Sequence, residues 1–113
     1  MPDCLFCKIV SGEVPSRKIY EDGDVLAFYD VTPQAPVHAL VIPKKHIGDL
    51  NMLTDDEAGL VGHIFLVVRR LAKELNLTEG YRVVHNCGVH GGQTVAHLHF
   101  HLLGGREMLW PPG

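Results

Sequence analysis

The sequence contains no long apolar run and no cluster of basic residues. No stretch approaches the roughly 18 consecutive apolar residues of a membrane-spanning helix. The net charge is −3 and the lysines and arginines are scattered, which argues against a surface that neutralises nucleic-acid phosphates. The first residues also lack a basic segment. We therefore expect a cytoplasmic protein that binds a small molecule, and neither membranes nor nucleic acids.

Cysteine is scarce as well. There are three cysteines, an odd number that fits a reducing compartment better than a disulfide framework. Two of them form Cys4-x-x-Cys7, a spacing open to three interpretations: half of a zinc site, a redox pair, or two small buried residues. A redox pair normally opens a helix after a strand in a βαβ unit, and that context is missing here.

Familiar phosphate-binding signatures and internal repeats are missing too. The chain has neither G-x-x-x-x-G-K-[ST] nor G-x-G-x-x-G, which excludes a P-loop and a dinucleotide fingerprint. No linker or repeat divides it. Its 113 residues, 46% of them hydrophobic, are enough for one domain spanning residues 1–113.

The patterns that are present predict an α+β protein. We expect a short helix over residues 5–10, and a long helix that begins at the capping box Thr54-Asp55-Asp56-Glu57. An apolar stripe at three- and four-residue spacing should pack that long helix on a sheet; its members are Leu60, Ile64, Val67, Val68, Leu71 and Leu75. Strands are predicted at residues 18–20, 25–29, 38–42, 81–86 and 97–103. Strands grouped on either side of one long helix favour an antiparallel five-stranded sheet.

Histidine is the residue that carries the chemistry. His97, His99 and His101 alternate with apolar residues, so in a strand their rings share one face at spacings of roughly 6.5 to 7 Å. A neutral imidazole can attack phosphorus, and the central His99 is the natural nucleophile. His97 and His101 would then orient the ring or donate to phosphoryl oxygens. Two alternatives remain: surface histidines without a role, and a zinc site built on the H-x-H pairs.

The loop over residues 87–94 supports the phosphate interpretation. Gly91 and Gly92 allow main-chain N–H groups to approach an anion, and Thr94 adds a hydroxyl donor. The alternative is an ordinary hairpin turn. His63 and His85 carry no motif, so we expect both to be structural or solvated.

These residues resemble the histidine-triad (HIT) nucleotide hydrolases, in particular their Hint branch of purine nucleoside phosphoramidases. The similarity rests on the three alternating histidines followed by two apolar residues, and on five further segments. They are Ala27-Phe28-Tyr29-Asp30, Pro33-Gln34-Ala35-Pro36, the run from His38 to His46, Gly91-Gly92-Gln93-Thr94, and the tail from Gly104 to Gly113. The resemblance implies a HIT-like fold and a homodimer whose sheets join into one. It also implies hydrolysis of purine nucleoside phosphoramidates or acyl nucleotides through a nucleotidyl-histidine, without a catalytic metal or an organic cofactor.

The resemblance also implies a role for each matching residue. His99 corresponds to the nucleophile, His101 and Gln93 to phosphate contacts beside Gly92, and Thr94 to the hydroxyl that helps to protonate the leaving amine. His38 corresponds to a fourth histidine that supports the triad, Asn86 to a ribose and phosphate contact, and Asp30 to the carboxylate on the ribose. The apolar slot for the base corresponds to Phe6, Phe28, Val31 and Leu40.

A structural zinc site is implied in the same way. In relatives with this C-x-x-C spacing, both cysteines, a later histidine and the first triad histidine bind the metal; here these are Cys4, Cys7, His46 and His97. A closed site with four ligands is structural, and it leaves the chemistry to His99. Hydrolysis of dinucleoside polyphosphates, a non-enzymatic nucleotide-binding scaffold and a zinc-water hydrolase remain the alternative functions.

Overall fold

The computed structural model describes residues 3–113. Two α-helices and five strands follow one another along the chain; they are α1 (Leu5–Ser11), β1 (Lys18–Glu21), β2 (Val25–Tyr29), β3 (Val37–Pro43), α2 (Ala58–Glu74), β4 (Tyr81–Val84) and β5 (Phe100–Gly104). All strand pairs are antiparallel, in the order β1-β2-β3-β5-β4. The predicted α+β architecture, with one short and one long helix, is confirmed.

Local sequence signals set both ends of α1 and the 3₁₀ turn that leads into α2. Cys4 is the N-cap of α1, where its Sγ accepts a hydrogen bond from the Cys7 N–H at 3.3 Å, and Gly12 ends this helix with a φ of 86°. The capping box of Thr54 and Glu57 is present, but it caps a 3₁₀ turn over Asp55–Glu57, and α2 begins only at Ala58. No helix in the part of the chain described here has the length and apolar character needed to cross a membrane.

The two helices cover opposite faces of the sheet. The predicted stripe of α2 packs on one face, where Ile64, Val67, Val68 and Leu71 are buried. Helix α1 places Phe6 and Ile9 on the other face, against apolar residues of β2 and β3; these are Leu26, Phe28, Leu40 and Ile42. Because side chains alternate along a strand, His38 of β3 also belongs to the α1 face.

The prediction for the histidine-rich strand is partly wrong. The alternation is confirmed, since Leu98, Phe100 and Leu102 are at most 4% exposed in the α2 core. The strand, however, begins at Phe100, so His97 and His99 precede it. The Leu98 N–H donates to the Ile47 carbonyl at 2.6 Å, which holds this segment outside the ladder between β3 and β5. Strand β4 likewise ends at Val84, two residues before the predicted end.

Candidate active site

A row of aromatic rings lies on the α1 face. The rings of His99 and His101 have centroids 5.1 Å apart, and His38 lies at the same distance from His101. The ring of Phe6 is T-shaped to His99 and to His97, with centroid distances of 5.1 Å and 5.9 Å. His97 is fully buried, and its Nδ1 faces Sγ of Cys4 at 3.3 Å.

Main-chain groups determine which nitrogen of His99 carries a proton. Its Nδ1 lies 2.6 Å from the carbonyl oxygen of His97. Because a carbonyl oxygen only accepts hydrogen bonds, Nδ1 must be the protonated nitrogen. The neutral ring therefore keeps its lone pair on Nε2, where it can act as a nucleophile.

A second chain of hydrogen bonds fixes His38 and His101. The Gln34 N–H donates to Nδ1 of His38 at 3.0 Å, so the proton of neutral His38 is on Nε2. That nitrogen lies 2.8 Å from Nδ1 of His101 and 3.5 Å from a carboxylate oxygen of Asp30. His101 accepts through Nδ1 and consequently presents its own N–H on Nε2. One ring of the site can thus attack, and its neighbour can donate.

Burial keeps these rings neutral. Desolvation lowers the pKa of His38, His97 and His99 below the ordinary value of 6.5. Desolvation also lowers the pKa of His101, and the neighbouring His99 and His38 add to this effect and bring it to about 4. At neutral pH the site therefore offers uncharged imidazoles.

Cys4, Cys7, His46 and His97 form a cluster that could hold a metal ion. Their ligand atoms lie within 4.8 Å of one another. Nε2 of His97 donates to the Pro43 carbonyl at 2.8 Å, which leaves Nδ1 free to face Sγ of Cys4 at 3.3 Å. Nδ1 of His46 lies 3.2 Å from Sγ of Cys7. Two thiols and two imidazoles match the donor set that zinc prefers.

Asp30, His38 and His101 also lie within 4.8 Å of one another, but they fit a metal poorly. The Gln34 N–H occupies the lone pair on Nδ1 of His38, and Nε2 of the neutral ring carries a proton. A metal ligand needs a free lone pair, which His38 could offer only by giving up its bond to Gln34. This arrangement favours a proton relay.

The loop after β4 is a tightly folded structure held by side-chain amides. The Gln93 amide donates to the carbonyls of Gly48 and Val95, and its oxygen accepts from the Gly88 N–H. The Asn86 amide donates to the Gly91 carbonyl. Gly91 approaches Cys87 so closely that a Cβ on it would lie 2.3 Å from the Cys87 carbonyl oxygen. Thr94 is exposed at the end of the loop, two residues after Gly92, whose φ is 78°.

The four residues predicted to form a base slot do not all lie together. Phe6, Phe28 and Leu40 are buried in one cluster under α1, and the rings of Phe6 and Phe28 contact at 5.5 Å. Val31 is 96% exposed and lies outside that cluster.

Two histidines without a motif make specific contacts. His63 of α2 lies 2.6 Å from a carboxylate oxygen of Asp22, and His85 lies 2.9 Å from the main-chain carbonyl of His99. These partners are 41 and 14 residues away along the chain, so no local sequence pattern could indicate them.

Comparisons with known proteins identify the family. The HIT domain family matches residues 11–108. An uncharacterized HIT-like protein from Synechococcus elongatus is 55% identical over 111 residues, which cover 98% of this chain and 97% of that protein. The chain therefore belongs to the HIT domain family.

Solved structures agree with this assignment. A HIT family hydrolase from Legionella pneumophila superposes with a TM-score of 0.96 at 52% identity, covering 98% of this chain and all of that one. A histidine triad nucleotide-binding protein from Candida albicans gives 0.82 at 38% identity, covering 96% of this chain and 83% of the other. The close structural neighbours of the chain thus include HIT family hydrolases.

Proposed function

We propose that this protein hydrolyses purine nucleoside phosphoramidates or acyl nucleotides to a nucleoside monophosphate and the leaving group. The observation that carries the proposal is the lone pair on Nε2 of His99. The neutral ring keeps it there because its Nδ1–H donates to the His97 carbonyl. Membership of the HIT family and similarity to a nucleotide-binding histidine triad protein support the choice of a nucleotide substrate.

The reaction has two steps. Nε2 of His99 attacks the α-phosphorus, and the bond from phosphorus to the amine nitrogen breaks with its electron pair passing to the amine. The amine takes up a proton through the hydroxyl of Thr94, which receives one from solvent in turn. Water then attacks the phosphorus and passes a proton to solvent. The bond from phosphorus to Nε2 breaks with its electron pair returning to His99, which releases the monophosphate and regenerates the neutral ring.

The remaining residues bind and orient the substrate in this proposal. The Nε2–H of His101 donates to a phosphoryl oxygen as negative charge develops there. Asp30 accepts from the ribose hydroxyls, and Asn86 contacts the ribose and phosphate. Gln93 acts through the loop that it holds in place, beside Gly92. Phe6, Phe28 and Leu40 line one wall for the base, and Val31 can contact the base only from the surface.

The test is turnover of adenosine 5′-phosphoramidate carrying a fluorescent amine. We expect the wild type to release the amine, and His99→Ala to lose at least about 10³-fold in kcat/KM while remaining folded. His63→Ala, which removes a histidine on α2 far from the triad in sequence, is the matched control and should retain activity. A folded wild type that cleaves only dinucleoside polyphosphates, or only binds nucleotide, would contradict the proposal.

We also propose that Cys4, Cys7, His46 and His97 bind a structural zinc ion. When bound, zinc would tie the start of α1 to the segment between β3 and α2 and to the first triad histidine. Metal analysis of protein purified without chelator should find one zinc per chain, and Cys7→Ser should lose it. Cys87→Ser, which changes the cysteine outside the cluster, should keep it. Metal-free wild type would refute this assignment.

The last part of the proposal is a homodimer with one continuous sheet. Strand β4 lies at one edge of the sheet, and Tyr81 on it, together with Phe65 and Leu66 on α2, is at least 44% exposed. An edge strand beside exposed apolar residues can pair with a second copy. Sedimentation should give twice the chain mass of 12.5 kDa, and a monomer at all concentrations would exclude the dimer.

A further inference from the structure

His85 is a half-buried titratable residue near the triad that the proposed reaction leaves unused. The hydrogen-bonded ladder between β4 and β5 ends at the pair of Val84 and His101. One residue further along, Nδ1 of His85 lies 2.9 Å from the carbonyl oxygen of His99. Because that oxygen only accepts, Nδ1 of His85 carries the proton. Beyond the last main-chain pair of β4 and β5, the side chain of His85 therefore connects the two segments.

The ring of His85 is held in a fixed orientation. It stacks on Phe100 with a centroid distance of 4.7 Å and an interplanar angle of 30°, and Phe65 packs against the same phenylalanine. Its Nε2 is buried and has no hydrogen-bond partner among residues 3–113. The contact with the His99 carbonyl is therefore the one polar interaction that the structure gives this ring, and stacking fixes its direction.

The accepting carbonyl belongs to the proposed nucleophile. His99 precedes β5, so no regular strand ladder holds its main chain. One hydrogen bond fixes its ring, from Nδ1 to the His97 carbonyl, and the bond from His85 fixes its own carbonyl. A small rotation of this peptide would redirect Nε2, and misplacement of a reacting group by about 1 Å can cost about 100-fold in rate.

We propose that His85 is a positioning residue, whose Nδ1–H fixes the main chain of His99 and thereby aims Nε2 at the phosphorus. The inference rests on the proposed function, because it assigns His85 a part in the same reaction. His85 acts through His99 and contacts no substrate. Its removal should consequently lower kcat and leave KM almost unchanged.

Two variants separate the hydrogen bond from the stacking. His85→Phe keeps an aromatic ring on Phe100 but has no donor, and His85→Asn keeps an N–H donor but has no ring. We expect kcat of His85→Phe to fall about tenfold with KM within about twofold of wild type, and His85→Asn to recover most of that loss. Circular dichroism and Tm should confirm that both variants are folded.

Three results would overturn the inference. These are a wild-type kcat in His85→Phe, equal losses in both variants, or a rise in KM that accounts for the loss. A readout that does not depend on turnover is the tautomer of His85 in long-range ¹H–¹⁵N spectra, which should show the proton on Nδ1. A proton on Nε2 would refute the contact itself. Absence of turnover in the wild type, by contrast, would contradict the proposed function. The spectrum would still show whether the hydrogen bond from His85 to the His99 carbonyl exists.

Discussion

Main-chain groups assign the protons of the histidines one residue at a time. The Pro43 carbonyl accepts a hydrogen bond from Nε2 of His97, and the His97 carbonyl accepts one from Nδ1 of His99. The Gln34 N–H instead donates to Nδ1 of His38. The result is that neighbouring rings present different nitrogen atoms for hydrogen bonding although they are chemically identical. His97 turns a lone pair toward the cysteines, and His99 keeps one on Nε2.

The pH dependence of activity follows from these neutral rings. Burial lowers the pKa of His99, and burial with the neighbouring histidines lowers that of His101 to about 4. Protonation of His99 removes the lone pair, so activity falls as the pH falls through its lowered pKa. We expect kcat/KM to stay level from pH 8 to pH 6.5 and to decline only at lower pH. An acid limb centred at or above pH 6.5 in the pH–rate profile would contradict this.

The loop leaves no room for a side chain at Gly91. A Cβ there would lie 2.3 Å from the oxygen and 2.7 Å from the nitrogen of Cys87, and main-chain atoms cannot yield as a flexible side chain can. We expect Gly91→Ala to lower the free energy of unfolding by about 1 to 3 kcal/mol in urea titrations. Gly59→Ala is the control, because that position of α2 is open and alanine favours a helix. Equal stability of Gly91→Ala and wild type would show that the loop relaxes.

At the scale of elements, α1 links the cysteine cluster to the proposed nucleophile. Phe6 lies between Cys4 and Cys7 in sequence, and its ring contacts both His97 and His99. The helix has only seven residues, so its tertiary contacts have to stabilise it. A metal bound to both cysteines would add to those contacts.

Removal of the metal should therefore loosen α1 first. We expect a chelator to increase amide hydrogen exchange in residues 5–11 before it affects β2 and β3, and to lower Tm by several degrees. The same treatment of Cys7→Ser should change nothing, because this variant has already lost the site. Unchanged exchange in α1 of zinc-loaded wild type after chelation would argue against the link.

Much of the element order could be predicted from the sequence, because the signals are local. The Cys4-x-x-Cys7 spacing, the capping box of Thr54 and the alternation around His99 each lie within a few residues. The error at the start of β5 comes from a contact between distant segments, the hydrogen bond from Leu98 to Ile47. The hydrogen bond from His85 to the His99 carbonyl, which no sequence pattern indicated, also joins separate segments. Such contacts depend on how the elements pack, and sequence periodicity does not report packing.

For the whole molecule, the buried histidines make stability depend on pH. The pKa values of His38, His97 and His99 are lowered in the folded state, and that of His101 is lowered to about 4. Below pH 6.5 the unfolded chain therefore binds protons that the folded chain does not. Their contribution is fully present above pH 6.5 and is lost as the pH falls. We expect the urea midpoint to decrease steadily from pH 7 to pH 4.5. A midpoint that is constant over this range would show that these rings are not held neutral.

Both faces of the sheet serve the proposed reaction in different ways. The α2 face provides a continuous apolar core that includes Leu98, Phe100 and Leu102. The α1 face carries the histidines, the cysteine cluster and the wall formed by Phe6. Because side chains alternate between the two faces, the apolar residues around His99 stabilise the core, and the histidines between them are available for the proposed reaction.

The most direct test of this account is to trap the covalent intermediate. Wild-type protein mixed rapidly with an adenosine phosphoramidate, quenched in denaturant and digested, should carry the nucleotidyl group on the peptide that contains His99. The His99→Ala protein should carry none. Turnover by the wild type without any nucleotidyl-histidine, or with the group on a different residue, would contradict the assignment of His99 as the nucleophile.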